Sequence, residues 1–303
     1  MSALKVGRRA IKTSNEHKVL FPDDGVTKGE LIAYYHEVAS VMVPYLKGRP
    51  LTIQRFPDGI EKNGFYQKDA SKYLPEWIHT KKLPKDKGFV NHVICDNPAT
   101  LVYLANQAAI ALHTGTSRVD RIDLPDQLIF DLDPVEDDFR SAQEAAELLY
   151  ALLDEINLPH FAKTTGGKGL HIVVPLRRGL DYGDVRAFSE DTARVLERRA
   201  PNRLTTEVRK AKREGRLYLD VARNGYGAHA VAPYSARPSP GAPVSTPLLA
   251  EETFDPNLRP ERFNVKSVVE RIGAQGDPWA GIRASAVSLK RARQALDELL
   301  AET

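Results

Sequence analysis

Asp131-Leu132-Asp133 closes an apolar run, QLIFDLDP, and Asp220 lies inside a second one, LYLDVA. In an extended strand side chains alternate, so Asp131 and Asp133 share one face while Leu132 turns to the other. Two convergent carboxylates repel unless a cation lies between them, and hard oxygen ligands suit Mg2+ or Mn2+. Asp220 offers a third carboxylate, where an isolated charge would be costly unless paired or metal-bound. Three such aspartates can hold two ions about 3.5–4 Å apart for in-line phosphoryl transfer. A strand-end turn or a helix cap would use the same D-x-D spacing, and a nuclease or phosphatase would share it. Glu136, Asp137 and Asp138 read as solvated residues ahead of the next helix.

Thr164-Thr165-Gly166-Gly167-Lys168-Gly169 is a Gly-rich turn that can expose backbone N–H groups as an anion nest, with Lys168 as a point charge. It is not a Walker A loop, because the G-x-x-x-x-G-K-[ST] spacing is missing and a strand, LHIVVP, follows in place of a helix. A plain hairpin turn is the alternative. His171 shares a face with the turn's outlet and could donate to a phosphate; a hydrogen-bonded core histidine is the other reading. His113, at the end of an expected buried helix, has the same two readings. Arg213, Arg216, Arg223 and Arg237 flank the Asp220 strand, and guanidinium forks suit a triphosphate. A solvated basic face is the alternative for 209–216.

The elements that must position these groups can be read from period and turn chemistry. Lys28 to Leu46 has helical periodicity, with Thr27 and Glu30 as a capping box. RPLTIQRFPDG and NGFYQKDA read as a hairpin, and FVNHVIC as a strand. A helix is expected over NPATLVYLANQAAIALH, with Pro98 at its first position, apolar nearly all round and therefore buried. The DLDP strand, a helix over 140–157, the strand-turn-strand FAKTTGGKGLHIVVPL and a helix ended by Pro201 follow. LYLDVA and HAVAPYSA are short strands, and the chain from Val265 is helical with Trp279 as an anchor. Hairpin-like strand pairs separated by helices predict an α+β fold, with mixed and antiparallel sheets flanked by helices around one catalytic cleft. No internal repeat is visible, and RPSPGAPVSTP is too short for a domain linker. The expectation is one catalytic domain over 1–303, with its core motifs in 8–250 and a helical extension over 251–303.

Composition sets the outer limits. With 42% hydrophobic and 27% charged among 303 residues, disordered, collagenous and coiled-coil classes are excluded. The one cysteine, Cys95, excludes a disulfide framework and cannot by itself build a zinc site; it reads as a small buried hydrophobe. The N-terminus lacks the apolar stretch of about 7–15 residues of a signal peptide, and no window reaches the ~20 of a membrane span. A soluble, intracellular protein with no membrane partner is expected. Lys plus Arg number 43 against 40 Asp plus Glu, a net +3, so distribution and not total charge must decide on a nucleic-acid partner.

Asp131-Leu132-Asp133-Pro134, then Thr165-Gly166-Gly167-Lys168-Gly169-Leu170-His171, then Asp220 fall in the order of the three motifs of archaeo-eukaryotic primase-type polymerases. More narrowly, residues 8–250 resemble the polymerase domain of bacterial ligase D, used in non-homologous end joining. The resemblance implies a nucleotidyltransferase that adds ribo- or deoxyribonucleotides to primer 3′ ends at DNA gaps and double-strand breaks. Asp131, Asp133 and Asp220 would be catalytic and ligate two ions, Mn2+ or Mg2+. Thr165, Lys168, His171, Arg213, Arg223 and Arg237 would contact the incoming NTP or dNTP, with His113 near its sugar and triphosphate. Asn15, Lys18 and Lys28 match a pocket for the 5′-phosphate of the DNA. Phe65 and Tyr66 match an aromatic pair that stacks near the templating base; members often have two Phe, and Tyr keeps a stackable ring. Thr165 replaces a common Ser and keeps its hydroxyl.

A cytoplasmic, nucleoid-associated location is implied. With no recognisable ligase or phosphoesterase region, the chain reads as a stand-alone polymerase or an excised domain. Ku and a DNA ligase as partners, the preferred nucleotide and metal, template dependence and oligomeric state stay open. Two rival functions remain: a non-catalytic DNA-end binding or bridging module, which has no use for three acids in apolar strands, and a metal-dependent nuclease, which has little need of TGGKGLH and several Arg.

Overall fold

In the computed structural model, which describes residues 2–85, 87–134 and 138–302, the chain passes back and forth between two units. The first holds Met1–Asp120, His229–Thr246 and Glu261–Asp277; the second holds Arg121–Ala228, Pro247–Pro260 and Pro278–Thr303. The stretch 251–303, read from sequence as one helical extension, is therefore divided between both.

The first unit opens on an antiparallel hairpin of β1 (Ser2–Val6) and β2 (Arg9–Thr13). Gly7 takes φ +58 in its two-residue turn, and glycine at the first turn position suits the twist of the flanking strands. β3 (Val19–Phe21) and β4 (Val26–Thr27) lead into α1 (Lys28–Glu37). Thr27 accepts from the Glu30 N–H and the Glu30 carboxylate takes the Thr27 N–H, as the capping box requires. The single helix expected to Leu46 is two: Val38 ends α1, and α2 (Ala39–Leu46) follows. Pro44 does not set that break, because it and the Ser40 carbonyl four residues back both lie inside α2.

β5 (Leu51–Arg55) and β6 (Phe65–Gln67) form the expected hairpin, and β7 (Thr80–Pro84) pairs with β8 (Phe89–Val93). α3 (Pro98–Asn106) starts at Asn97, whose side chain accepts from the Thr100 N–H. The helix predicted through His113 stops here. Ala108 takes φ +54, and Ala109–Thr114 is a strand, β9, paired with β5. An apolar run without polar alternation is compatible with either a buried helix or a buried strand.

The second unit is built on β10 (Gln127–Asp133), α4 (Phe139–Glu155), β11 (Phe161–Thr164), β12 (Leu170–Pro175), α5 (Tyr182–Arg199), β13 (Leu204–Thr205) and β14 (Leu217–Asp220). Its sheet runs β11-β12-β10-β14-β13, antiparallel except for the parallel β13–β14 pair. Asp138 caps α4 by accepting from the Ser141 N–H, while Glu136 and Asp137 lie outside the described residues. β15 (Ala230–Val231) returns to the first unit and completes the sheet β15-β9-β5-β6. α6 (Ala250–Thr253) and α8 (Lys290–Ala301) belong to the second unit, α7 (Ser267–Gln275) to the first. Trp279 is buried and donates Nε1–H to the Ala162 carbonyl at 3.0 Å, the anchor expected of it.

The whole is an α+β arrangement with one mixed sheet and several antiparallel ones. Cys95 is buried, with burial pushing its thiol well above the usual range. Among the described residues no helix is long and apolar enough to cross a membrane.

Candidate active site

Strand register assembles the acidic centre of the second unit. Asp131 pairs with His171 on one side and Asp220 on the other, and His171 pairs in turn with Lys163. Directly opposite residues of antiparallel strands project from the same face, so Lys163, His171, Asp131 and Asp220 form one row across four strands. The adjacent rows, Ala162–Ile172–Phe130 and Leu170–Leu132–Leu219, project from the opposite face and are apolar. A slip of one residue would exchange the rows and drive the acids into that apolar layer, so the apolar rows themselves fix where the acids stand. Asp133, two residues beyond Asp131, shares its face and lies opposite Tyr218.

Asp131 is buried and accepts from His171 Nε2 at 3.3 Å and Arg223 Nε at 3.1 Å. Arg223 Nη2 also stands 4.0 Å from Asp220 Oδ2, so one guanidinium spans two aspartates. Asn224 locks the 3-10 turn that carries Arg223 onto β10, accepting from the Ile129 N–H and donating to the Ile129 carbonyl, both at 2.8 Å. Burial pushes the Asp131 carboxyl up, but the His171 ring and the Arg223 guanidinium outweigh it and hold the group well below the usual carboxylate range. Burial and the Lys163 ammonium push His171 down to about 4. The ring is therefore neutral at pH 7, and Arg223 supplies the lasting cation beside Asp131. His171 Nδ1 is buried with no hydrogen-bond partner. Asp133 is shifted upward, by burial and then by the charge of Asp131.

The Gly-rich turn is pressed against this centre. A Cβ on Gly169 would lie 2.1 Å from the Leu132 carbonyl oxygen and 3.3 Å from Asp133 Cα. Thr165 Oγ1 accepts from the Gly167 and Gly169 N–H groups, both at 3.2 Å. Two amides expected to face an anion are thus turned onto the threonine hydroxyl, which closes the turn; Lys168 is its exposed cation and, after Lys210 and Arg223, pulls the Asp133 pKa downward against the larger upward causes. Arg213 donates to the Glu207 and Val208 carbonyls and lies over the Tyr218 ring at 4.1 Å. Arg216 ties back to the carbonyls of Arg213 and Lys212.

Lys163, Tyr218 and Asn224 were not singled out from sequence. Of these, Lys163 had a signal: a cation inside the apolar strand FAKT needs a partner or a role.

The first unit gathers two further sets. His113, on β9 and not on a helix end, has the Tyr66 ring at 5.9 Å and Arg237 Nη1 at 3.3 Å from its Nε2. Phe65 and Tyr66 project from β6 at 46% and 62% exposure. Arg55 sits opposite Phe65 in register, 5.4 Å from its ring, and is held by the Gln107 carbonyl and the Gln67 amide oxygen.

The second set lies at the start of α1. Asn15 takes φ +52, the Lys28 N–H donates to the Lys18 carbonyl at 2.8 Å, and the Gly29 N–H to that of Glu16 at 2.9 Å. The turn of Asn15 to Lys18 is thereby laid on the helix N-terminus. Lys28 is buried, with the Ser14 hydroxyl at 3.4 Å as its hydrogen-bond partner in place of a carboxylate, and burial lowers its pKa. Lys18 pairs with Asp58 at 2.5 Å. A buried ammonium at a helix N-terminus favours an anion.

A family model described as LigD, primase-polymerase domain, matches residues 27–279. The chain belongs to that family. It is 32% identical over 279 residues to the multifunctional non-homologous end joining protein LigD of Mycolicibacterium smegmatis, covering 91% of this chain and 36% of that protein. It is 31% identical over 264 residues to the bifunctional LigD of Bacillus subtilis, covering 86% and 42%. The chain thus spans well under half the length of these relatives. Among solved structures, the polymerase domain of Mycobacterium tuberculosis ligase D in complex with DNA is similar, with a TM-score of 0.85, 30% identity, and 91% and 99% of the two chains covered.

In this member of the LigD polymerase family the donor chemistry fits divalent ions. Three carboxylates stand on one sheet face, and the arginine between two of them occupies ground that a cation favours. As the side chains stand, no three His, Cys, Asp or Glu groups among the described residues are drawn together enough to cage one ion. The upward shift of Asp133 marks charge that remains poorly compensated. A carboxyl whose pKa is raised in the fold stabilises it below the unfolded value and loses that contribution as pH rises through the raised one. Asp133→Asn should accordingly raise the melting temperature of the metal-free protein at neutral pH. If these carboxylates hold Mn2+, the ion should raise the melting temperature of the wild type and the same variant should lose that shift. Melting curves in chelator and in Mn2+ check both; a lowered melting temperature in chelator would contradict the electrostatic account.

Proposed function

We propose that this chain is a DNA-directed nucleotidyltransferase that extends primer 3′ ends at gaps and breaks, acting in end-joining repair. The observation that carries this reading is the aspartate row of the second unit, backed by the Gly-rich turn and crossed by Arg223, in a chain of the LigD primase-polymerase family. Asp131, Asp133 and Asp220 would hold two Mg2+ or Mn2+ ions, which when bound supply an activated primer hydroxyl and charge stabilisation at the triphosphate. Lys168, Arg213 and Arg223 bring positive charge to the phosphates and offset the charge that grows on the leaving pyrophosphate. Thr165 shapes the turn that carries Lys168, and His171, neutral at pH 7, orients Asp131. His113 and Arg237 serve the sugar and triphosphate of the incoming nucleotide, while Phe65 and Tyr66 offer ring faces to template bases.

Incubation with labelled primer-template DNA, nucleotides and Mn2+ tests the reading: lengthening supports it, shortening indicates a nuclease, and no change indicates a binding module. Repeating the assay without template, and with ribo- against deoxyribonucleotides, separates the finer alternatives.

Asn15, Lys18 and Lys28 are assigned to the 5′-phosphate on the far side of the gap. Replacing Lys18 and Lys28 together by alanine should remove the preference for 5′-phosphorylated over 5′-hydroxyl gapped DNA. A charged hydrogen bond is worth ~1.5–3 kcal/mol, so affinity for the phosphorylated DNA should fall ~10–100-fold, and that for 5′-hydroxyl DNA much less. A preference that survives the double replacement overturns the pocket.

A further inference from the structure

The N-terminal hairpin carries charge that nothing above employs. Residues 1–15 contain Lys5, Arg8, Arg9 and Lys12 and no acid, and the family model begins only at residue 27. Register sorts the hairpin into two faces. Leu4 lies opposite Ile11, Val6 opposite Arg9 and Ser2 opposite Thr13 on one; Ala3 lies opposite Lys12 and Lys5 opposite Ala10 on the other. Val6, Ile11 and Thr13 are buried, so the first face is the packed one. The outer face is Ala3, Lys5, Ala10 and Lys12, all exposed: two lysines set diagonally across the ladder between two alanines, with Arg8 at the turn.

This face is held rigidly, and among the described residues no carboxylate forms an ion pair with Lys5 or Lys12. Asn106, at the end of α3, donates to the Lys12 carbonyl and accepts from the Ser14 N–H, both at 3.1 Å. The Arg9 guanidinium stacks on Trp77 at 4.5 Å, and Trp77 packs edge-on against Tyr103. Glu16, the first acid in the chain, is engaged by the Thr13 hydroxyl at 2.6 Å and by that of Ser2, and their hydrogen bonds, Ser2 first, lower its pKa. It lies at the strand end, away from Lys5 and the turn.

We propose that the outer face of β1–β2 is a contact surface for the phosphate backbone of duplex DNA beyond the 5′-phosphate. The proposal rests on the reading of Asn15, Lys18 and Lys28 as the pocket for that phosphate, because β2 runs directly into it. Lys12 is three residues from Asn15, a chain reach of about 10 Å, which spans about three nucleotides at a rise of about 3.4 Å each. The chemistry selects a regular polyanion: the outer face holds no aromatic ring for a base and no large apolar side chain to anchor a protein partner. Long ammonium side chains between methyl groups suit sequence-independent backbone contact.

Lys5→Gln with Lys12→Gln removes both charges from exposed positions, and Lys5→Arg with Lys12→Arg keeps them. Binding to 5′-phosphorylated gapped DNA would be followed by fluorescence anisotropy over a range of salt. One DNA would carry a downstream duplex of a few base pairs, the other a duplex longer than the hairpin's reach. On the long duplex the Gln pair should weaken binding about tenfold and lower the slope of log K against log salt by about 2, as expected for two lost phosphate contacts. On the short duplex, which reaches no further than Lys12, the Gln pair should lower the slope by no more than about 1; the Arg pair should match the wild type on both, and the 5′-phosphate preference should be unchanged throughout.

An unaltered slope, an equal loss on both DNAs, or a loss of the 5′-phosphate preference in the Gln pair would overturn the proposal. If the wild type itself shows no 5′-phosphate preference while the Gln pair still loses affinity on the long duplex, the pocket reading fails and the hairpin surface stands. Melting curves of each variant exclude unfolding as the cause.

Discussion

Asp220→Ala is expected to lower nucleotide addition by about 10³-fold or more while leaving affinity for gapped DNA close to that of the wild type. Carboxylates that hold a catalytic ion contribute several kcal/mol of charge stabilisation, and each 1.36 kcal/mol is about a factor of ten in rate. Asp131→Ala should lose activity to the same extent, but the two variants should separate in stability. Asp131 is almost wholly buried and is bonded to both His171 and Arg223. Its removal strands a buried imidazole and deprives Arg223 Nε of its acceptor. Asp220 is more open; it accepts from the Ala222 N–H at 2.8 Å, and Arg223 approaches it only to 4.0 Å, so its loss should lower the melting temperature less than the loss of Asp131. Asp220→Ala is therefore the cleaner test. In metal-free buffer, removing a negative charge cannot of itself weaken attraction to phosphates, so a fall in DNA affinity measured there would point to misfolding and not to chemistry. Extension at the wild-type rate in either variant would sink the assignment.

What could be read in the sequence, and what could not, follows from whether the signal was local. Alternation within one strand puts Asp131 and Asp133 on the same face, and the structure has them there. The Thr27–Glu30 capping box, the β5–β6 hairpin and the strand-turn-strand around TGGKG are also local, and each is present. Lys163 belongs to the same row as Asp131, yet its place depends on how β11, β12 and β10 pair, and no spacing along the chain encodes that. The strand at Ala109–Thr114 was missed because residues apolar on every side carry neither period. His113 was carried with it to a helix end, whereas on β9 it meets Arg237 through pairing of β9 with β15 and the chain that follows. The amides of Gly167 and Gly169 looked available to an anion; the Thr165 hydroxyl, a residue read chiefly as a nucleotide contact, takes both. Membership of the two units is the least local property of all, since the chain changes unit at 120, 228, 246, 260 and 277.

Gly169→Ala should be the most damaging single methyl that can be added to the TGGKG turn. The argument is about space. The new Cβ would sit 2.1 Å from the Leu132 carbonyl oxygen, 3.1 Å from its carbon and 3.3 Å from Asp133 Cα. All three are backbone atoms of β10, which is paired on both sides, so they cannot rotate away as the end of a side chain could. Either the turn lifts from the strand, or the strand end that carries Asp133 moves. The first breaks the bonds by which Thr165 closes the turn and carries Lys168 outward; the second displaces a proposed metal ligand. A misplacement of about 1 Å costs on the order of 10² in rate, and overpacking of this kind costs about 1–3 kcal/mol in stability. Primer extension by Gly169→Ala should thus fall ~100-fold or more, with a lowered melting temperature. Gly167→Ala supplies the comparison: its Cβ would meet only the Thr165 hydroxyl, at an ordinary 3.4 Å, so the same methyl two residues away should leave extension within about threefold of the wild type. Equal behaviour of the two variants would mean that the glycines act through chain flexibility, and that the contact of Gly169 with the backbone of Leu132 and Asp133 does not set the geometry of the acidic centre.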